Sequence, residues 1–208
     1  VNLNEANTNT IYIFDIDDTL IFSTSKVGYK TPEMDKFKFV STEEYSKIRN
    51  ELPKETEFDF SDFRQYDSIY FSLVNGQPNI KVLKIMDHAI NSNYKIGIIT
   101  ARGNQKAIFK ALKNTLLYRN EKDELVEIPK NIFNEKYVFA VNDSSVEKFI
   151  KTVIGKSNIS DQEKKAFILK NIFKEKYGFK TIFFYDDDQS NVDSVNELND
   201  KSIKAFKV

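Results

Sequence analysis

Three short runs of uninterrupted apolar residues constrain this chain more than any other feature: Ile11-Tyr12-Ile13-Phe14, Ile96-Gly97-Ile98-Ile99 and Ile182-Phe183-Phe184-Tyr185. A strand with one wetted face alternates polar and apolar side chains. These runs do not, so each reads as a strand of a parallel sheet, buried on both faces. Tyr137 to Val141 is a fourth candidate strand, and Ile203 to Val208 a fifth, at an edge. Helical patterns lie between them, over Ile80 to Ile90, Asn104 to Leu117 and Asp161 to Tyr177. The last opens on a Ser160-x-x-Glu163 capping box and carries Leu169, Ile172 and Phe173 on one face. Strand and helix in alternation predict a doubly wound, three-layer (Rossmann-like) α/β fold, one domain over residues 1–208.

The stretch from Ser23 to Gln77 breaks that alternation. It is rich in Phe and Tyr and holds its own helix start, Ser41-x-x-Glu44. Structureless loops of such length are rare in compact domains. Residues 23–79 are therefore expected to form a cap or flap inserted after the first strand. Tyr70, Phe71 and the cluster from Phe58 to Phe63 are its candidates for shaping a pocket. Arg119 to Glu135 and Asn142 to Ser160 read as shorter polar excursions.

Composition removes several chemistries. The chain has no cysteine, which excludes disulfides, thiolate metal sites and thiol nucleophiles. Its single histidine, His88, lies in an ordinary helical pattern and is expected at the surface or at the core boundary. Basic and acidic residues balance at 31 each, so no general field draws the chain to nucleic acid or anionic membrane. No stretch approaches the roughly 20 apolar residues of a membrane span. The first ten residues are polar and Asn-rich, without a signal pattern, and a cytoplasmic protein is the expectation. Catalysis, if present, falls to carboxylates, hydroxyls, lysines, arginines and a metal.

Each apolar run ends on polar chemistry. The first runs into Asp15 and Asp17, the second into Thr100, and the third into Asp186, Asp187 and Asp188. Ligands of open parallel sheets bind at the carboxyl ends of the strands, so three strands are expected to deliver these groups to one edge. Carboxylates that close repel one another unless a cation is present. A hard, oxygen-only donor set suits Mg²⁺. Asp18 and Asp188 have a simpler reading as caps of the following turns or helices.

In this pattern the chain resembles the haloacid-dehalogenase-like superfamily. The resemblance rests on Asp15-Ile16-Asp17-Asp18-Thr19-Leu20 after an apolar strand, on Thr100-Ala101-Arg102-Gly103 after the second, and on Tyr185-Asp186-Asp187 with Asn191 beyond. Together these span residues 11–196 in the superfamily's order. Its remaining motif is one lysine on the helix before the last motif strand. Lys164 and Lys165 both qualify, and Lys165 is preferred because it shares the sheet-facing side with Leu169 and Ile172.

The resemblance implies a phosphatase. Asp15 would attack phosphorus and form an aspartyl-phosphate. Asp17 would protonate the leaving oxygen and then activate water. Thr100 and Lys165 would hold the phosphoryl oxygens. Mg²⁺ would be bound by the Asp15 carboxylate, the Asp17 backbone carbonyl and Asp187, with Asp186 as ligand or support. Arg102 lies where it could reach a substrate phosphate, or is a surface arginine opening the next helix. The implied partner is a small phosphorylated substrate: a nucleotide, a sugar phosphate or a nucleic-acid end, with a weaker resemblance to the polynucleotide 3′-phosphatase, small nucleotidase and phage-encoded branches. Stable nucleic-acid binding is not expected. The alternative is a catalytically silent relative serving as a binding or structural module. Gly155-Lys156-Ser157 mimics the end of a P-loop, but Ile150 stands where the first glycine is required.

Overall fold

A computed structural model describes residues 9–115, 117–119, 125–129 and 131–208. The chain enters through β1 (Thr10–Phe14) and at once makes an excursion. That excursion comprises β2 (Ile21–Phe22), β3 (Lys26–Lys30), β4 (Lys38–Ser41), α1 (Thr42–Ile48), β5 (Glu57–Asp59), a 3-10 turn at Ser61–Phe63, α2 (Tyr66–Val74) and β6 (Gln77–Pro78). Ser41 caps α1 by accepting from the Glu44 N–H, as its spacing predicts. β4, β3 and β5 form a small antiparallel sheet, and β2 pairs with β6 where the excursion leaves and returns. Gly76 lets that neck close, since a Cβ there would lie 2.4 Å from Ile21 Cγ2.

The remaining chain alternates. α3 (Ile80–Asn91), β7 (Lys95–Thr100) and α4 (Gln105–Thr115) are followed by an antiparallel pair, β8 (Leu117–Arg119) and β9 (Leu125–Glu127). Then come β10 (Phe133–Ala140), α5 (Ser144–Ile154), α6 (Asp161–Phe167), β11 (Thr181–Asp186), α7 (Gln189–Asn196) and β12 (Ile203–Lys207). The five long strands make one parallel sheet in the order β10-β7-β1-β11-β12.

Both faces of this sheet are covered, which explains the unbroken apolar runs. Ile11 and Ile13 of β1 enter one core with Ile150 of α5, Leu169 and Phe173 beyond α6, and Val195 of α7. Phe14, one register step away, enters the other with Ile69 of α2, Leu83 of α3 and Ile108 of α4. Successive side chains of a strand point to opposite faces, so a strand sandwiched between helix layers has no place for a polar residue. Within the stretch expected as a cap, α2 thus packs into the main core, and the β3–β5 sheet with α1 is the part that stands apart.

Two differences from the sequence expectation have local causes. The polar excursion after β10 holds a full helix, α5, capped by Asp143 and closed by Gly155 at φ 74°. Its apolar residues Val146, Phe149, Ile150, Val153 and Ile154 do have helical spacing, but only Ile150 is fully buried, and the lysines between them mask the stripe. Gly155, the P-loop mimic, is therefore a left-handed helix cap. The helix begun by α6 keeps its predicted capping box but widens into a π-helix over Ile168–Lys176, with the Tyr177 N–H bonded to the Ile172 carbonyl. His88 is exposed on α3, as expected.

Candidate functional site

Beside β1 the sheet order reverses. The chain passes from β1 to β7 and β10 on one side, then to β11 and β12 on the other. Loops leaving β1 and β11 diverge there and open a crevice at the carboxyl ends of the two strands. Phe14 is in register with Tyr185, and the Asp15 N–H extends the ladder to the Tyr185 carbonyl at 2.9 Å. The residues that follow must meet. Oxygens of Asp15, Asp186 and Asp187 lie within 4.8 Å of one another.

Lys165, from α6, reaches between the first two. Its Nζ is 3.0 Å from Asp15 Oδ1 and 2.7 Å from Asp186 Oδ2, all three side chains being buried. Asp186 is fixed further by Asn191 Nδ2 at 2.8 Å and the Asp188 N–H at 3.0 Å. The Asp187 carboxylate accepts from the Thr19 hydroxyl at 3.1 Å, while the Asp187 N–H donates to the same oxygen at 3.0 Å. Asp188, at the rim of the same cluster, caps α7 by accepting from the Ser190 N–H. Asp18 takes the turn at φ 58°, bonded through its N–H to the Ile21 carbonyl.

Burial pushes the Asp15 carboxyl well above the usual range; Lys165 opposes this, and Asp186, Asp17 and Asp187 add to it. Asp187 is raised to about 6, by burial first and then by Asp186. Lys165 is raised as well: burial works against its charge, but Asp15 and Asp186 outweigh it. One ammonium among three carboxylates leaves anionic charge uncompensated in a desolvated pocket, a costly arrangement without a further cation. The donor set is all carboxylate oxygen, so this triad could hold a hard divalent metal ion.

Asp17, half-buried at the cleft, and Arg102 behind it form a second unit. Arg102 is fully buried and grips Asp17 with two bonds, Nε to Oδ2 at 2.8 Å and Nη2 to Oδ1 at 2.6 Å. Its remaining donors meet Ser25 at 3.0 Å and Ser72 at 3.1 Å, and its guanidinium carbon lies 5.1 Å from the Phe63 ring centre. Ser23 adds a 2.7 Å bond to Asp17 Oδ1. Arg102 is thus no surface arginine, and its guanidinium is turned toward Asp17 and the excursion. Thr100, at the end of β7, is also fully buried, and its hydroxyl oxygen accepts the Arg102 N–H at 3.4 Å.

Above the acids lies a cleft of about 470 Å³. Asp15, Asp17, Lys165, Asp186 and Asp187 line its base, and Tyr45, Phe60, Phe63 and Arg64 its outer wall. From the predicted cluster, then, Phe60 and Phe63 face the cleft together with Tyr45, whereas Tyr70 packs against the core and Phe71 is 64% exposed. Gly103 permits this approach: its N–H bonds the Phe63 carbonyl at 2.7 Å, and a Cβ there would lie 3.0 Å from Arg64 Cγ. Lys164 takes no part in the acid cluster; it pairs with Glu147 at 3.0 Å and Asp161 at 3.2 Å on the opposite wall.

Sequence reasoning did not find Ser23, Ser25, Ser72, Glu147 or Asn142. Asn142, just past β10, was accessible by the strand-end rule that found the acids. The serines carry no local signal, because their partners lie on distant segments. Comparison with curated proteins finds no match. A family model described as "Protein of unknown function (DUF2608)" matches residues 2–206, the acid cluster and the excursion included, and the chain belongs to that family.

Proposed function

We propose that this chain is a Mg²⁺-dependent phosphomonoesterase of the haloacid-dehalogenase type, acting on a small phosphorylated substrate through Asp15. The observation that carries the reading is the convergence of Asp15, Asp186 and Asp187 at the ends of two adjacent parallel strands, with Lys165 bridging the first two. A stability role alone gives no reason to gather three carboxylates where burial opposes their charge.

In this reading an Asp15 carboxylate oxygen attacks phosphorus as the ester P–O bond breaks, giving an aspartyl-phosphate and an alcohol that takes up one proton. Water then attacks the same phosphorus, releasing phosphate and the free carboxylate. Lys165 stays protonated and offsets charge beside the transferred group. The Thr100 hydroxyl is fully buried behind the cleft lining, so its bond to a phosphoryl oxygen requires local opening when substrate arrives. Asp17 handles both proton transfers. Its oxygens are held by Arg102 and Ser23, so the pair must part when substrate arrives. Asp15, Asp186 and Asp187 would hold the Mg²⁺, which would supply positive charge against the repulsion between nucleophile and phosphate.

The direct test is hydrolysis of an aryl phosphate. Turnover is expected with Mg²⁺, is lost on chelation and returns when Mg²⁺ is restored. No turnover across a broad ester panel, with no Mg²⁺ bound, would instead indicate a silent module. Protons should compete with the metal. Asp187 ionises near pH 6, so Mg²⁺ affinity is expected to fall as pH drops through about 6, with Asp15 acting in the same direction. Without metal the sign reverses. A carboxyl raised in the fold binds its proton more tightly there than in the unfolded chain, so Asp187 lowers stability as pH rises from about 4 to about 6, and Asp15 acts in the same direction. Thermal melts in chelator and in Mg²⁺ at pH 5 and 7 read both effects.

A further inference from the structure

Building on the phosphomonoesterase reading, we infer that the substrate is a monophosphate ester whose alcohol carries a flat, uncharged ring, stacked against Tyr45, Phe60 and Phe63. These aromatics come from α1 and from the segment running out of β5 through the 3-10 turn, and all three line the same cleft as Asp15. They form a chain of edge-to-face contacts, Tyr45 to Phe60 at 5.9 Å and 84°, and Phe60 to Phe63 at 6.5 Å and 67°. None of the three is fully buried, and α1 buries no residue at all. An aromatic cluster serving as a core would be covered by its own element. This one keeps ring surface toward a cleft whose volume lies in the range of about 300–1,000 Å³ that accepts small organic ligands. Arg64, exposed on the same wall, offers a planar guanidinium that stacks on flat rings.

Charge narrows the class. Eight carboxylates and three cations line the cleft. Two of those cations are already engaged, Lys165 by Asp15 and Asp186, and Lys164 by Glu147 and Asp161. With one divalent ion at the triad the walls remain anionic. A second phosphate on the substrate would meet repulsion, while an uncharged ring would not. The cleft is also lined by Asn142, Glu147 and Asp161, whose oxygens hold Lys164 and whose remaining lone pairs suit the N–H edge of such a ring. A nucleoside monophosphate meets every condition; an aryl phosphate meets all but the last.

The test separates ring recognition from turnover. Binding to the Mg²⁺-loaded protein is measured by calorimetry with two non-hydrolysable phosphonates, the isosteres of a nucleoside 5′-monophosphate and of ribose 5-phosphate. Stacking of a base on aromatic side chains predicts tighter binding of the nucleoside compound by about 10–100-fold. Tyr45→Leu and Phe60→Leu, made separately, should each bring that ratio toward one. Equal affinity for the two phosphonates in the parent protein would overturn the inference. So would a nucleoside diphosphate binding more tightly than the monophosphate isostere, or a ratio unmoved in both variants. A ring preference without turnover of any ester supports the ring site and sinks the phosphatase reading. Turnover without ring preference does the opposite.

Discussion

Asp15→Asn is expected to reduce ester hydrolysis by about 10⁴-fold or more while the metal-free protein melts no lower than its parent. The amide keeps the size of the carboxyl and the oxygen that accepts from Lys165, but it cannot attack phosphorus. The stability side follows from burial. Asp15 is 5% exposed, and desolvation together with three neighbouring acids pushes its carboxyl well above the usual range, so its charge is carried at a cost to folding. Removing that charge relieves repulsion among Asp15, Asp186 and Asp187, and Lys165 retains Asp186 at 2.7 Å. Sites built for reaction often give up stability in this way. Steady-state kinetics and melts in chelator check the two halves independently. A melting temperature several degrees below the parent would mean that Lys165 depends on Asp15 more than on Asp186.

Arg102→Met is expected to cost about 3–5 kcal/mol of stability, seen as a fall of roughly 10 °C or more in melting temperature. The change strands the partners of a fully buried guanidinium. Asp17 loses both charge-assisted bonds, and the hydroxyls of Ser25 and Ser72 lose their donor. An exposed arginine would cost less than about 0.5 kcal/mol, so the measurement distinguishes the two roles sharply. Arg102→Lys should recover only part of the loss, because an ammonium cannot form the two-pronged contact. Pairing Arg102→Met with Asp17→Asn should cost less than the sum of the single changes, as expected for residues that share one interaction. Denaturant unfolding of the four proteins completes the cycle.

The fold was legible because its signals are short in sequence. Ile11 to Phe14, Ile96 to Ile99 and Ile182 to Tyr185 each declared two-sided burial, and all three are adjacent strands of the sheet. The capping boxes and helix starts are equally local, spanning three or four residues. α5 was missed where the local signal misleads, since only Ile150 is fully buried while Phe149 and Val153 stay exposed. Tyr45 was missed as part of the cleft wall because nothing in α1 distinguishes it until the 3-10 turn folds across it.

The acids at the strand ends are the clearest division between the two levels. Their arrival at one edge was determined by sequence alone, because a parallel sheet brings the carboxyl ends of its strands together whatever the loops do. Which groups touch was decided only in three dimensions. Lys165 rather than Lys164 meets Asp15, across 150 residues of chain, and Arg102 turns inward to Asp17, 85 residues away, instead of opening a helix at the surface. Neighbouring lysines on a helix differ by about 100° in direction, and nothing within a few residues of them says which direction holds a carboxylate. That information resides in the packing of distant segments, where a buried charge must find its partner or not be buried at all.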